Sequence, residues 1–99
     1  MTLRLRITQR AAAEIERADA WWREHRQAVP NALRDDLRAA FDLLAFQPGI
    51  GERVLNARLH GTRSLQIDRI RYDLYYIVRG DELWVLSLWH SQRGRQPRL

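Results

Sequence analysis

Leu3, Leu5 and Ile7 alternate with Arg4, Arg6 and Thr8 near the start of the chain. A period of two over so short a run predicts a strand with one buried face. Thr8 then stands where a helix N-cap belongs. From there the spacing changes. Ala11, Ile15, Ala18 and Trp22 recur at steps of four, three and four, and His25 and Val29 continue the stripe. That is the core-facing side of a helix over residues 9–28. Glu14, Arg17, Asp19 and Arg23 are assigned to its outer surface, with Asp19 and Arg23 as a favourable i,i+4 pair. Trp21 borders the core. Pro30 breaks the pattern and suits the first turn of a second helix. The stripe of that helix is Leu33, Leu37, Ala40, Phe41 and Leu44, and it ends around Phe46. A proline and two glycines follow within Gln47-Pro48-Gly49-Ile50-Gly51, which marks a firm stop. So short a connection makes the two helices an antiparallel hairpin, whose apolar face needs a further layer to cover it.

Residues 52–60 read either as a loop or as a short strand. Leu65 and Ile67 then alternate with Ser64, Gln66 and Asp68 in a half-buried strand, and Asp68 and Arg69 suit a turn. Residues 71–90 form a hairpin about Gly80 and Asp81, because Gly-X is the loop chemistry of a type II′ turn. With a two-residue loop Arg79 faces Glu82, and the same register places Arg71 opposite His90. One face of this hairpin carries Tyr72, Leu74, Tyr76, Val78, Leu83, Val85, Ser87 and Trp89; it has no formal charge and is assigned to the core. The other carries Arg71, Asp73, Tyr75, Ile77, Arg79, Glu82, Trp84, Leu86, Leu88 and His90. Its apolar centre, Tyr75, Ile77, Trp84, Leu86 and Leu88, is a surface of the kind that meets a partner. The predicted fold is α+β in two layers. An N-terminal strand and a helical hairpin pack on a mostly antiparallel sheet of about four strands. Residues 1–99 read as one domain with a mobile basic tail from about residue 91.

Composition narrows the chemistry. There is no cysteine, so disulfides, thiolate nucleophiles and cysteine-held metals are excluded. Three histidines without clustered carboxylates give no metal-site spacing, and no cofactor or metal is expected. The chain has no apolar run long enough to span a membrane and no secretory leader at its N-terminus, which fits a cytoplasmic protein. All 17 Lys+Arg positions are arginine, and the net charge is +5. A GC-rich coding bias is enough to explain the missing lysines. Either way the surface is rich in planar cationic forks suited to phosphate and carboxylate, which fits nucleic acid or an acidic protein partner.

Five segments, in this order and spacing, carry a resemblance: "ITQRAAAEIERADAWW", "LLAFQPGIG", "RLHGTRSL", "RYDLYYIV" and "VLSLWHSQR". Together they resemble the RelE/ParE superfamily of type II toxin–antitoxin toxins from Leu3 to Arg93. The resemblance implies a small growth-arresting toxin, of the sort that stabilises plasmids, bound and silenced by a cognate antitoxin. ParE-like members poison DNA gyrase without nuclease residues, and the long helical hairpin favours that branch. RelE-like members cleave mRNA on the ribosome. In that case Arg71 would hold the phosphate, His90 would move a proton and Arg93 would add a cation. Such cleavage needs a base for the 2′-OH, an acid for the leaving oxygen and cations for the phosphorane. No tyrosine follows Tyr76, although several ribonuclease members place one close to the C-terminus. Both residues also have structural roles open to them: Arg71 pairs with Asp73 or a nearby carboxylate, and His90 closes a sheet edge. A nucleic-acid-binding module without toxicity is the third class the arginines allow.

Overall fold

A computed structural model describes residues 2–93 and 96–99, apart from the side chain of Arg93. The elements run β1 (Arg4–Ile7), α1 (Gln9–His25), α2 (Ala32–Phe46), β2 (Glu52–Arg53), β3 (Arg63–Ile67), β4 (Tyr72–Arg79) and β5 (Glu82–His90). Short 3-10 turns lie at Pro48–Ile50 and Ser91–Arg93. The sheet has five strands in the order β1-β5-β4-β3-β2. All neighbours are antiparallel except β1 and β5, the first and last strands, which run parallel. This is the expected two-layer α+β fold, with β2 as the strand left open for residues 52–60.

Thr8 joins β1 to α1 with every polar group in use. Its N–H donates to the Val85 carbonyl at 3.1 Å, and its hydroxyl donates to the Leu86 carbonyl at 3.3 Å. The same hydroxyl oxygen accepts from the Ala11 N–H at 3.1 Å, the N-cap bond read from the sequence. Helix α1 stops at His25, three residues short of the predicted end. The indole of Trp22 donates to the Val29 carbonyl at 2.9 Å, pinning the turn that follows. Helix α2 starts at Ala32, so Pro30 precedes the helix and does not enter its first turn.

The core lies between the helices and one face of the sheet. Ala11, Ala18 and Trp22 from α1 and Leu33, Leu37, Ala40 and Leu44 from α2 meet Leu74, Tyr76, Leu83, Val85 and Leu88 from the strands. Burying side chains of this size contributes about 1.5–3 kcal/mol each, which is what holds the hairpin to the sheet. Tyr76 crosses that core to its far end. Its hydroxyl donates to the Pro48 carbonyl at 2.6 Å and accepts from the Gly51 N–H at 3.0 Å. A side chain at Gly51 would collide with that phenol and come within 2.9 Å of the Ser64 carbonyl.

Two residues assigned to the outer surface of α1 are not there. Asp19 is only 5% exposed, at the seam between the helices. One of its oxygens accepts from Arg34 Nε at 2.7 Å and from Arg23 Nε at 3.1 Å, so the i,i+4 pair gains a third member from α2. Burial raises the Asp19 pKa, but the hydrogen bonds and charges of Arg34 and Arg23 outweigh it and leave the carboxyl below its usual range. Glu14 points at the sheet. One of its oxygens accepts from the Ser87 hydroxyl at 2.8 Å and from the Leu88 N–H at 3.1 Å.

Strand β1 departs from the expectation of one buried face. Leu5 and Ile7 are each 40% exposed and line an open groove of about 340 Å³ with Ile15, Leu37 and Phe41. The alternation was real, but β1 is an edge strand, and the helix side chains beside it leave the groove open.

Candidate functional site

The hairpin explains where the expected site residues fall. Gly80 has φ 59 while Asp81 stays out of the left-handed region, as a type II′ loop requires. From the loop to Tyr76↔Val85 the pairing follows the predicted register. Leu86 then has no partner, and pairing resumes at Tyr75↔Ser87. One extra residue on β5 exchanges the faces of everything beyond it. Leu88, expected on the open face, lies in the helix-side core. Trp89, expected in the core, joins the opposite face. His90 pairs with Tyr72, not with Arg71. The Arg71 carbonyl instead accepts from the Ser91 N–H at 3.0 Å.

Arg71 and His90 nevertheless meet, on the helix side and not on the open face. They line a cavity of about 260 Å³ with Trp21, Trp22, Arg26, Arg69, Ile70 and Tyr72. The His90 ring stands edge-on to Tyr72, with centroids 5.1 Å apart. The Gln92 N–H donates to His90 Nδ1 at 3.2 Å, so a neutral ring carries its proton on Nε2. Arg71 has φ 61, the only non-glycine at positive φ among the described residues. That conformation is costly for a residue with a Cβ, and it marks the position as unusual. Neither expected bond from the Arg71 guanidinium to Asp73 nor any other side-chain bond from it is present among the described residues; Asp73 accepts from the Ser91 hydroxyl at 2.9 Å. Arg93 belongs to the turn after β5, and its side chain lies outside the described residues.

The opposite face of the sheet is not open at its centre. Tyr75 and Ile77 are 5% and 3% exposed, and with Leu86 they form a second small core. Val54, Trp84, Trp89 and Leu99 pack around it. The chain's last residues, expected to be free, return across this face. The Arg58 N–H donates to Leu99 O at 2.7 Å, and Arg10 Nη1 donates to the Arg98 carbonyl at 2.5 Å. Burial raises the Tyr75 pKa, the Asp73 charge adds to it, and the phenol stays neutral. Trp84 is capped by the Arg6 guanidinium, 5.0 Å from the ring centroid, and its indole donates to Glu82 at 3.1 Å. Among the described residues, an exposed apolar concavity is found instead at the Leu5–Ile7 groove, flanked by Arg34, Arg38 and Asp42. Nothing in the alternation of the strands could have signalled it, because it depends on how the middle of α1 and α2, at Ile15, Leu37 and Phe41, sits beside β1.

No three His, Asp or Glu side chains gather among the described residues as a metal ligand set would. No helix among them is long and apolar enough to cross a membrane.

Comparison with known proteins supplies what geometry alone does not. A family model described as the ParE toxin of the type II toxin–antitoxin system, parDE, matches residues 5–94. No curated protein sequence matches the chain. Among solved structures, a chain of the chromosomal ParDE TA system from P. aeruginosa superposes with a TM-score of 0.71. It is 18% identical, and the match covers 92% of this chain and 98% of that one. At that identity the likeness speaks to the fold.

Proposed function

The chain belongs to the ParE toxin family of type II toxin–antitoxin systems, and on that premise we propose that it arrests growth in the cytoplasm by binding DNA gyrase until a cognate antitoxin silences it. The observation that carries the reading is the family match across residues 5–94. The arrangement of the expected nuclease residues agrees with it. His90 has turned to the helix side against Tyr72, and Tyr75, the phenol nearest the centre of the other face, is buried. The ribonuclease reading asks for a proton-moving pair on the open face, and the turn of His90 away from that face supports the binding reading. The action is by binding, with no bond broken by this chain.

The antitoxin is placed on the groove beside β1. Leu5, Ile7, Ile15 and Phe41 offer apolar area, and Arg38 with the remaining donors of Arg34, set against the single carboxylate of Asp42, suits an acidic segment. An amphipathic helix laid into such a groove buries its apolar face and leaves its carboxylates to the arginines. The decisive experiment is a supercoiling assay with purified gyrase and purified toxin. Inhibition that is relieved by the antitoxin is expected. Undisturbed supercoiling at micromolar toxin, together with discrete cuts in translated mRNA, would transfer the assignment to a ribosome-dependent endoribonuclease.

A further inference from the structure

The cavity at the foot of α1 has no place in gyrase binding or antitoxin docking as argued above. Among the described residues its cationic side chains are Arg26, Arg69 and Arg71, and no carboxylate lines it. Asp36 compensates the charge of Arg69, which leaves the excess positive charge of Arg26 and Arg71 around the concavity for an anion to balance. Two of the three are partly engaged. Arg69 places Nε and Nη2 on Asp36, at 2.9 and 2.6 Å, which leaves Nη1 unengaged. Arg26 donates from Nη1 to the His25 carbonyl at 3.2 Å, with its guanidinium 5.2 Å from the centre of Trp21 and 5.9 Å from that of Trp22. Its Nη2 is left over. Arg71 keeps its whole fork and holds it from a left-handed backbone position that glycine would adopt at less cost. With Nδ1 accepting from the Gln92 N–H, the His90 ring adds an Nε2–H donor.

We propose that this cavity binds the 5′-phosphate of a nucleotide. The donor set decides between anions. A peptide carboxylate offers two oxygens and a single charge, and a phosphodiester in a strand likewise offers two free oxygens and one charge. A terminal phosphate carries about −1.5 to −2 charge near neutral pH and three strong acceptor oxygens, which matches donors arriving from four side chains. The space of about 260 Å³ exceeds a phosphate alone and extends to the attached sugar. Trp22 and Tyr72 supply apolar walls that exclude water from one side of the bound group and strengthen its hydrogen bonds. A free nucleoside monophosphate and the 5′ end of a strand present the same chemistry here.

The test uses the full chain and two fluorescent oligonucleotides of one sequence, labelled at the 3′ end. One carries a 5′-phosphate and the other a 5′-hydroxyl. Anisotropy titration is expected to show roughly tenfold tighter binding of the phosphorylated strand, the gain that a pair of exposed charge-assisted bonds provides. Arg71→Gly suits the backbone at that position, so it keeps the fold while removing the fork. It should erase the preference and leave the 5′-hydroxyl strand bound as before. Arg17→Ala, an exposed charge on α1 outside the cavity, should keep the preference. Competition by AMP as strong as that of the phosphorylated strand would identify a free nucleotide as the source; weaker competition would identify a strand end. Equal binding of the two strands by the wild type overturns the proposal. So does an Arg71→Gly variant that weakens both strands alike, or displacement by an acidic peptide at the concentrations where AMP fails.

Discussion

Asp19→Ala takes one carboxylate out of the seam between the helices. In the folded protein a single oxygen of Asp19 accepts from both Arg34 and Arg23. Removing one member of a buried ion pair costs about 3–5 kcal/mol when the remaining charge stays buried. Here it does not stay buried, because the side chains of Arg23 and Arg34 are 46% and 55% exposed and rehydrate when the carboxylate is gone. The cost falls to the range of hydrogen bonds to charged groups, about 1.5–3 kcal/mol. For a domain of this size about 2 kcal/mol lowers the melting temperature by roughly 8–16 °C. The effect has a definite pH signature. The folded-state pKa of Asp19 is depressed, so its contribution is fully present above the ordinary carboxylate pKa of the unfolded chain. It is lost as the pH falls through the lower folded value. Urea unfolding of wild type and variant at neutral pH and at about pH 2 makes the measurement, with the gap closing in acid. A neutral-pH difference under about 0.5 kcal/mol would be no more than an ordinary surface substitution produces and would refute the seam's importance. A full-sized gap that persists in acid would show that packing, not charge, was responsible.

Other substitutions probe single contacts. Glu14→Ala strands the fully buried Ser87 hydroxyl and the Leu88 N–H, and should cost about 2–3 kcal/mol. Glu14→Gln keeps an acceptor and should recover most of that, with Leu88 amide exchange as the local readout. Gly51→Ala drives a methyl into the Tyr76 phenol and breaks its two hydrogen bonds, for a loss of at least about 2 kcal/mol by thermal melting. Arg71→Gly relieves the positive φ and should stabilise the fold by up to about 1 kcal/mol; a destabilised variant would mean that the guanidinium serves the fold itself.

The parts legible in the sequence were those set by local repetition. Helical stripes from Ala11 to Trp22 and from Leu33 to Leu44 name the core correctly, because apolar side chains at a 3.6-residue period share the one helix face that packs on the sheet. Glycine at position 80 fixes the loop, and the loop fixes the register as far as Tyr76↔Val85. Beyond it, Leu86-Ser87-Leu88 alternates whether or not Leu86 is bulged, so the change of face left no mark in the pattern. The cause of the bulge is distant: Thr8 and Glu14 take up the polar groups of Leu86, Ser87 and Leu88. Asp19 misled for a similar reason. With Arg23 four residues on, it has the spacing of a surface pair, and its third partner, Arg34, lies on another helix. The nearness of Arg71 and His90 was legible, but the side of the sheet on which they meet was not.

The parallel pairing of β1 with β5 has a consequence for the order of events during synthesis. Arg4 and Glu82 are neighbours in space but 78 positions apart in the chain. At a translation rate of about 5–20 residues per second, β1 leaves the ribosome roughly 4–16 s before the strand it pairs with. Until then Thr8 lacks its Val85 and Leu86 acceptors, and neither edge of β1 is paired. The helical hairpin can form early from local contacts, but the β1–β5 pairing that lines the groove beside it is a long-range closure made last. An antitoxin that requires that finished groove recognises only the completed fold. One that adds its own backbone to β1 would engage the nascent chain before its toxin exists in active form.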